Sequence, residues 1–351
     1  MDITKINRVN KSEWQAKLKD FKYSFFISPE WIESAQNEKC RPVYLDFVIQ
    51  NQVKAKIAGL EINGGALLGK QLYFYSGPAM AVYDDDTHRQ CYGMLLDYAR
   101  TCGYSKLSVR PFDQRIHHKA DVVGYKVIRS EELKLYFAPN EEIKKFSFGF
   151  KQNVKKARKA GVEFHESQSE ELFDKLFELI GVTQKVRTGK YGVEYNPLGL
   201  LNLNENTLRN LIRTGGAKFY YATLEGKVVS IQLNIEFDNR TYGFLMGSDT
   251  GAYKIGAPSF LDANIIQQVH SKLYHDYNLG GAPSGEEGGQ GIIRYKESMG
   301  AERYATYGYY SPFFGIRYYW LTPLHWVIRC VTSFWLVRKL QAYALRKGWI
   351  G

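Results

Sequence analysis

Twice along the chain, short strand-like runs give way to a helical pattern and then to strands again. From Arg41 to Tyr83 the runs "RPVYLDFVIQ", "VKAKIAGLEIN" and "QLYFYSGPAMAV", rich in β-branched and aromatic residues, are separated by turn-like "QNQ" and "NGGALLGKQ" and predict antiparallel strands. A helical stretch around "THRQCYGMLLDYART" follows, then a strand, "SKLSVRPF", a polar "DQRIHHKADVVG" and a strand, "LKLYFAP". The order returns with "AKFYYATL" (217–224), "KVVSIQLNIEF" (227–237) and "RTYGFLMG" (240–247), broken by "EGK" and "DN". The stretch "SDTGAYKIGAPS" reads as a loop into the helix "FLDANIIQQVHSKLY", after which "YNLGG" is strand-like. Strands, a helix and further strands make an α+β layer pattern. Its recurrence predicts two copies of one unit, duplicated in topology rather than in sequence.

Two segments stand outside this repeat. Residues 144–159 hold Lys144, Lys145, Lys151, Lys155, Lys156, Arg158 and Lys159 with no acidic residue, and Gly161 suits the position just past a helix end. Cations in a last helical turn favour the helix dipole, so this is either a solvated basic helix or one that also touches a phosphate. After Glu302 the chain has no Asp or Glu, yet it carries Arg303, Arg317, Arg329, Arg338, Lys339, Arg346 and Lys347 with Trp320, Trp326, Trp335 and Trp349. Thr322 and Pro323 suit the start of a helix reaching about Lys347. Its apolar part, interrupted by His325 and Arg329, falls short of the ~20 residues of a spanning helix. The pattern fits a helix lying on an anionic inner leaflet, with docking on the protein's own body or a dimer partner, and a true span, as the other readings.

At 351 residues and 44% hydrophobic, the chain is long enough for two cores. The expected organisation is residues 1–145, residues 146–315 and a tail, 316–351. A formal charge of +11 calls for an anionic partner, whether nucleic acid, membrane or phosphorylated substrate. Cys40, Cys91, Cys102 and Cys330 have no paired spacing and read as thiols of a reducing compartment. The polar "MDITKINRVNKSEWQAKL" lacks the apolar centre of a signal peptide, so a cytoplasmic protein, peripheral on the membrane, is expected. His117, His118, His165, His270, His275 and His325 lack metal-ligand spacing, and no metal is expected.

"NVKKARKAGVEF" (153–164) resembles the "R-x-I-[RK]-K-A-x-K-x-G-V" helix of the Fem-type peptidoglycan-bridge transferases. "YNLGG…GIIRYKESMGAE" is similar to their closing "Y-D-[LF]-G-G…G-[LI]-x-x-F-K-x-x-[FM]-G" segment. The resemblance covers roughly residues 140–305 and is shared with the related BioF2-like acyltransferases. It implies a tandem pair of GNAT acetyltransferase domains, with an acyl-coenzyme A or an aminoacyl-tRNA as donor. The acceptor it implies is an amine of a cell-envelope precursor, a peptidoglycan or surface-glycan intermediate. By the resemblance Lys296 binds the phosphate-bearing substrate or stabilises charge at the transferred carbonyl, with Tyr295 in the family's Phe position. The family's Asp before Gly-Gly is Asn278 here, and the coiled-coil arm of some members has no counterpart.

Such a domain needs an anion cradle at a helix N-terminus. Gly251 and Gly256 permit close backbone approach, a helix starting near Pro258 brings Ala257 and Ser259 into its first turn, and Lys254 adds charge. An ordinary strand-to-helix turn is the other reading of this stretch. The six glycines between 280 and 291 are expected to form a mobile loop between two strands, with Lys296 on the second. Acyl transfer to an amine needs a base and a polarised carbonyl. Asp249, Glu286 and Glu287 are candidate bases, and direct attack is expected because no nucleophile constellation is present. Arg110, at a strand end, is a candidate contact for an anionic acceptor. A non-catalytic module that holds anionic lipid or RNA on a degenerate fold is the alternative.

Overall fold

The computed structural model describes residues 4–137, 142–191, 200–281 and 286–315, with positions 323 and 327 beyond. Trp320, Trp326, Trp335 and Trp349, on which the tail helix rests, lie outside the described residues. The elements of the first half are β1 (Lys5–Val9), α1 (Lys11–Ala16), α2 (Pro29–Ser34), β2 (Cys40–Ile49), β3 (Gln52–Asn63), α3 (Gly65–Leu68), β4 (Lys70–Phe74), β5 (Ala79–Met80), α4 (Asp85–Thr101) and β6 (Lys106–Val109). Then come β7 (Lys126–Tyr136), α5 (Phe148–Lys159), β8 (Glu163–Ser167), α6 (Leu172–Tyr191), α7 (Glu205–Arg213), β9 (Ala217–Leu224), β10 (Lys227–Phe237) and β11 (Arg240–Ser248). The chain continues with α8 (Thr250–Ile255), α9 (Ala257–Ser271), β12 (Asp276–Gly281), α10 (Glu286–Ser298) and β13 (Glu302–Tyr310).

Of the described residues, 4–131 and 305–315 form one compact unit and 132–304 the other. Residues 305–315 join the first unit because the end of β13 pairs with β6, Tyr309 opposite Val109 and Tyr310 opposite Ser108. Within the first unit the strands run β1-β2-β3-β4-β6-β13, and within the second β8-β9-β10-β11-β12-β7. In both, the only parallel pair of that path comes fourth, β4 with β6 and β11 with β12, the other neighbours being antiparallel. The duplication is therefore one of strand order and direction.

The local chemistry is that of ordinary hairpins and caps. Gln50-Asn51, Glu225-Gly226 and Asp238-Asn239 all have positive φ and join antiparallel neighbours, the geometry whose twist matches that of the strands it links. Helix α4 starts where the Asp84 side chain accepts from the Thr87 N–H at 2.7 Å, and it buries His88, Cys91, Tyr92, Leu95, Leu96 and Ala99 on one face. That face closes the first core over Leu45, Phe47, Ile57, Phe74 and Leu107. The second core gathers Leu133, Leu135, Val154, Tyr220, Phe260, Leu261, Ile265 and Ile266.

Two expectations are corrected. The stretch after β11 forms helix α8 in place of a loop, because Asp249 caps it and Ala252 is buried. The glycine-rich stretch leads into α10, so Lys296 stands on a helix and not on a strand. Glycine disfavours helix, but Ile293, Tyr295 and Met299 pack on the second core, and that tertiary contact overrides the propensity of Gly288, Gly289 and Gly291.

Candidate active site in the second unit

Strands β11 and β12 are paired over only three positions, Arg240 with Asp276, Thr241 with Tyr277 and Tyr242 with Asn278. Beyond these β11 runs on to Ser248, and Phe244 bulges out of its ladder with β10, between Gly243 opposite Asn234 and Leu245 opposite Leu233. The two parallel strands thus part, and the C-terminal stretch of β11 has no strand partner on that side among the described residues. A parting between parallel strands, at their C-terminal ends, is the usual place for a ligand in such a sheet.

Helix α9 starts beside this opening. Gly256, at φ +79, ends α8 and begins α9, with no side chain capping α9. A Cβ there would stand 2.3 Å from the Asn153 carbonyl oxygen, so glycine is the residue that lets α5 close on this turn. We expect Gly256→Ala to lower stability by about 3 kcal/mol, through strain at positive φ and the clash, as read by urea unfolding. Unchanged unfolding would show that the turn relaxes. Ala257 and Ser259 are buried in the first turn of α9, and Lys254 is exposed on α8. The corresponding helix of the first unit differs: α4 is capped by Asp84 and carries Asp85 and Asp86 in its first turn. An anion is therefore repelled at α4 and favoured at α9.

Under this opening lies a buried polar cluster. The Tyr295 hydroxyl donates to Asp262 Oδ2 at 2.6 Å and also bonds the Ser259 side chain. Burial pushes the Asp262 carboxyl up to about 6, against the Tyr295 hydrogen bond and the Lys296 charge, which pull it down. Burial also raises the Tyr295 phenol well above its ordinary range. The Tyr277 hydroxyl accepts from Gln232 Nε2, whose amide also donates to Asn234 Oδ1 at 2.7 Å. On β7 the buried Glu132 accepts from Asn278 Nδ2 at 3.0 Å and pairs with the buried Lys134 at 3.5 Å. Asn278 Oδ1 in turn accepts from the Gly280 N–H at 2.8 Å. An aspartate at 278 would set two carboxylates about 3 Å apart, so the amide is what Glu132 requires of its neighbour.

Lys296 reaches from α10 to the end of β12, where its ammonium donates to the carbonyls of Gly280 at 3.0 Å and Gly281 at 2.6 Å. It stands next to Tyr295 in sequence and close enough to Asp262 to act on its charge. The structure therefore brings Lys296, Tyr295 and Ser259 together. Asp249, expected as a base, spends its carboxylate on the Ala252 N–H at 2.6 Å as the cap of α8. The Glu286 and Glu287 side chains lie outside the described residues. Arg110 belongs to the first unit and sits over the Phe112 and Tyr310 rings, each 5.5 Å away.

Glu132 and Asp262 are not among the residues expected from sequence. Asp262 had a signal, as one acid within the apolar "FLDANII" of a helix that is buried almost all round. Glu132 and Lys134 alternate with Leu133 and Leu135 along β7, a pattern that normally marks a solvated face. Only the second unit's other elements turn that face inward.

Residues 144–297 match the family described as the GNAT acetyltransferase domain. A crystal structure of FemX superposes with a TM-score of 0.63 at 12% identity, covering 86% of this chain and 96% of that one. L-PGS from Bacillus licheniformis does so with a TM-score of 0.52 at 17% identity, over 89% and 94%. A tandem GNAT protein from the clavulanic acid biosynthesis pathway gives 0.50 at 9% identity, over 89% and 99%. At these identities the likeness is one of fold. No curated protein sequence matches the chain. The parted strands and the uncapped helix lie within residues 144–297, the segment similar to the GNAT acetyltransferase domain, and it is this segment that marks the protein as an acyltransferase, within a fold like that of a tandem GNAT protein.

Proposed function

We propose that the second unit transfers an acyl or aminoacyl group to an amine of a cell-envelope precursor, with acyl-coenzyme A as the donor and an aminoacyl-tRNA as the other candidate. The observation that carries the donor reading is the contrast between α9, uncapped at Gly256, and α4, closed by Asp84. The folds of FemX and of L-PGS support the envelope reading of the acceptor. An acyl-coenzyme A held beside α9 supplies a thioester carbonyl open to attack. The N–H groups at Ala257 and Ser259, with Gly256 leaving room for close approach and the charge of Lys254 nearby, suit its phosphates. Lys296 places a positive charge at the end of β12, where it stabilises negative charge developing on the carbonyl oxygen. Asn278 and Glu132 hold that strand end in place. Asp262, reached through Tyr295, is the carboxylate able to take up a proton near neutral pH. Arg110 remains a proposed contact for an anionic acceptor.

Titration with acetyl-coenzyme A, followed by melting temperature and by calorimetry, tests this. We expect a saturable shift and one equivalent bound per chain. Two equivalents would show that the first unit also binds donor. A shift with charged tRNA alone would replace the donor, and no shift with either would overturn the donor site.

A further inference from the structure

We infer that the outward face of α5, extended by α8, rests against an anionic lipid surface. Helix α5 turns Phe150, Val154 and Ala157 into the second core. Its opposite side leaves Phe148 at 78% exposed, among the exposed Lys151, Lys155, Lys156, Arg158 and Lys159. None of these five cations has an acidic partner among the described residues. On the adjoining α8, Tyr253 is 52% exposed beside the exposed Lys254. The two helices are neighbours within one unit, since the turn after α8 closes on the Asn153 carbonyl of α5. Two large exposed aromatic rings thus stand among six cations.

A basic helix needs a reason to leave a phenylalanine in water. In the "FGFKQNVKKARK" of α5 the core is served by Phe150, so the exposure of Phe148 is not a cost of packing. A ring inserted at headgroup depth, with lysine stems lying alongside and ammonium groups reaching up to phosphates, satisfies both features. The cations favour lipid over RNA. Five of the six are lysines, compact point charges suited to mobile headgroups, whereas RNA contacts draw on the planar, bidentate guanidinium of arginine. Because the apolar side of α5 is taken by the protein's own core, the attachment is electrostatic, reversible and sensitive to salt. The consequence for the reaction rests on the donor-site reading. Since α5 touches the Gly256 turn, docking brings the start of α9 to the bilayer.

The test is sedimentation of the full chain with vesicles of phosphatidylcholine, alone and mixed with phosphatidylglycerol, at rising salt. We expect partition to the mixed vesicles only, weakening as salt rises. Lys155→Glu with Lys159→Glu should lower it about tenfold or more, and Phe148→Ser should lower it with the same salt dependence. Melting temperature serves as the control for folding. Wild-type partition of a variant carrying all three substitutions, or no partition of the wild type, overturns the proposal. Loss of binding to an RNA hairpin in the variants, with vesicle partition unchanged, overturns it in favour of RNA. The acetyl-coenzyme A melting shift, measured on the same variants, stays if the donor site is right and the lipid face wrong, so the two failures are separable.

Discussion

Lys296→Ala lowers kcat by about two to three orders of magnitude, the loss seen when one preorganised donor to a developing oxyanion is removed. Donor affinity, read by the coenzyme A titration, changes little, because the charge is needed more in the transition state than in the ground state. The ammonium also ties α10 to the Gly280 and Gly281 carbonyls, so a displaced strand end would contribute to any loss. Lys296→Arg separates the two, since a guanidinium keeps a charge and donors to those carbonyls while changing its shape. Turnover that survives the alanine variant within a factor of a few would remove Lys296 from the chemistry and leave it as a brace.

Asp262→Asn makes the protein more stable above about pH 6 while it lowers turnover. The unfolded carboxyl titrates near 3.8 and the folded one at about 6, so between these values the native state holds a proton that the unfolded state has released. Stability therefore falls as pH rises through that window. The distance between the two values makes the fall about 3 kcal/mol, absent in the asparagine variant. Urea unfolding of both proteins at about pH 4.5 and about pH 8 captures about 2 kcal/mol of that fall, and parallel curves would refute it. Tyr295→Phe removes the hydrogen bond that favours the charged form and should steepen the wild-type fall. Tyr295 and Lys296 on α10 and Tyr277 on β12 face this carboxyl, and Ser259 on α9 bonds the Tyr295 hydroxyl. A carboxylate kept in a core where it costs stability is best explained by use. If it holds the amine's proton, the low-pH limb of the rate profile disappears with Asp262→Asn and persists if the pair only fastens α10 to α9.

The strands of both units were legible because their patterns are local. The runs at 217–224 and 227–237 coincide with β9 and β10, and the turn pairs between strands adopt the positive φ that their residues permit. Helix α5 was readable from its charge run and from Gly161, which takes φ +78 just past its end. The glycine stretch misled because propensity there opposes the fold. Ile292, Tyr295, Lys296 and Met299 already carried a helical spacing, but the six glycines beside them argued for a loop. Asp249 looked like a base because it follows a strand near the cradle, yet the same position is that of a helix cap.

Sequence alone determined the α+β class, the duplication, the basic helix and the place of Lys296 and Tyr295 in a recognisable segment, all of which rest on residues close together in the chain. Tertiary structure alone decided which charges are buried and with whom. Glu132 meets Asn278 across 146 residues and Tyr295 meets Asp262 across 33, and the energy of a carboxylate depends on that company. Burial removes water and makes each remaining partner count, and no periodicity along a chain reports which distant side chain will fill the space.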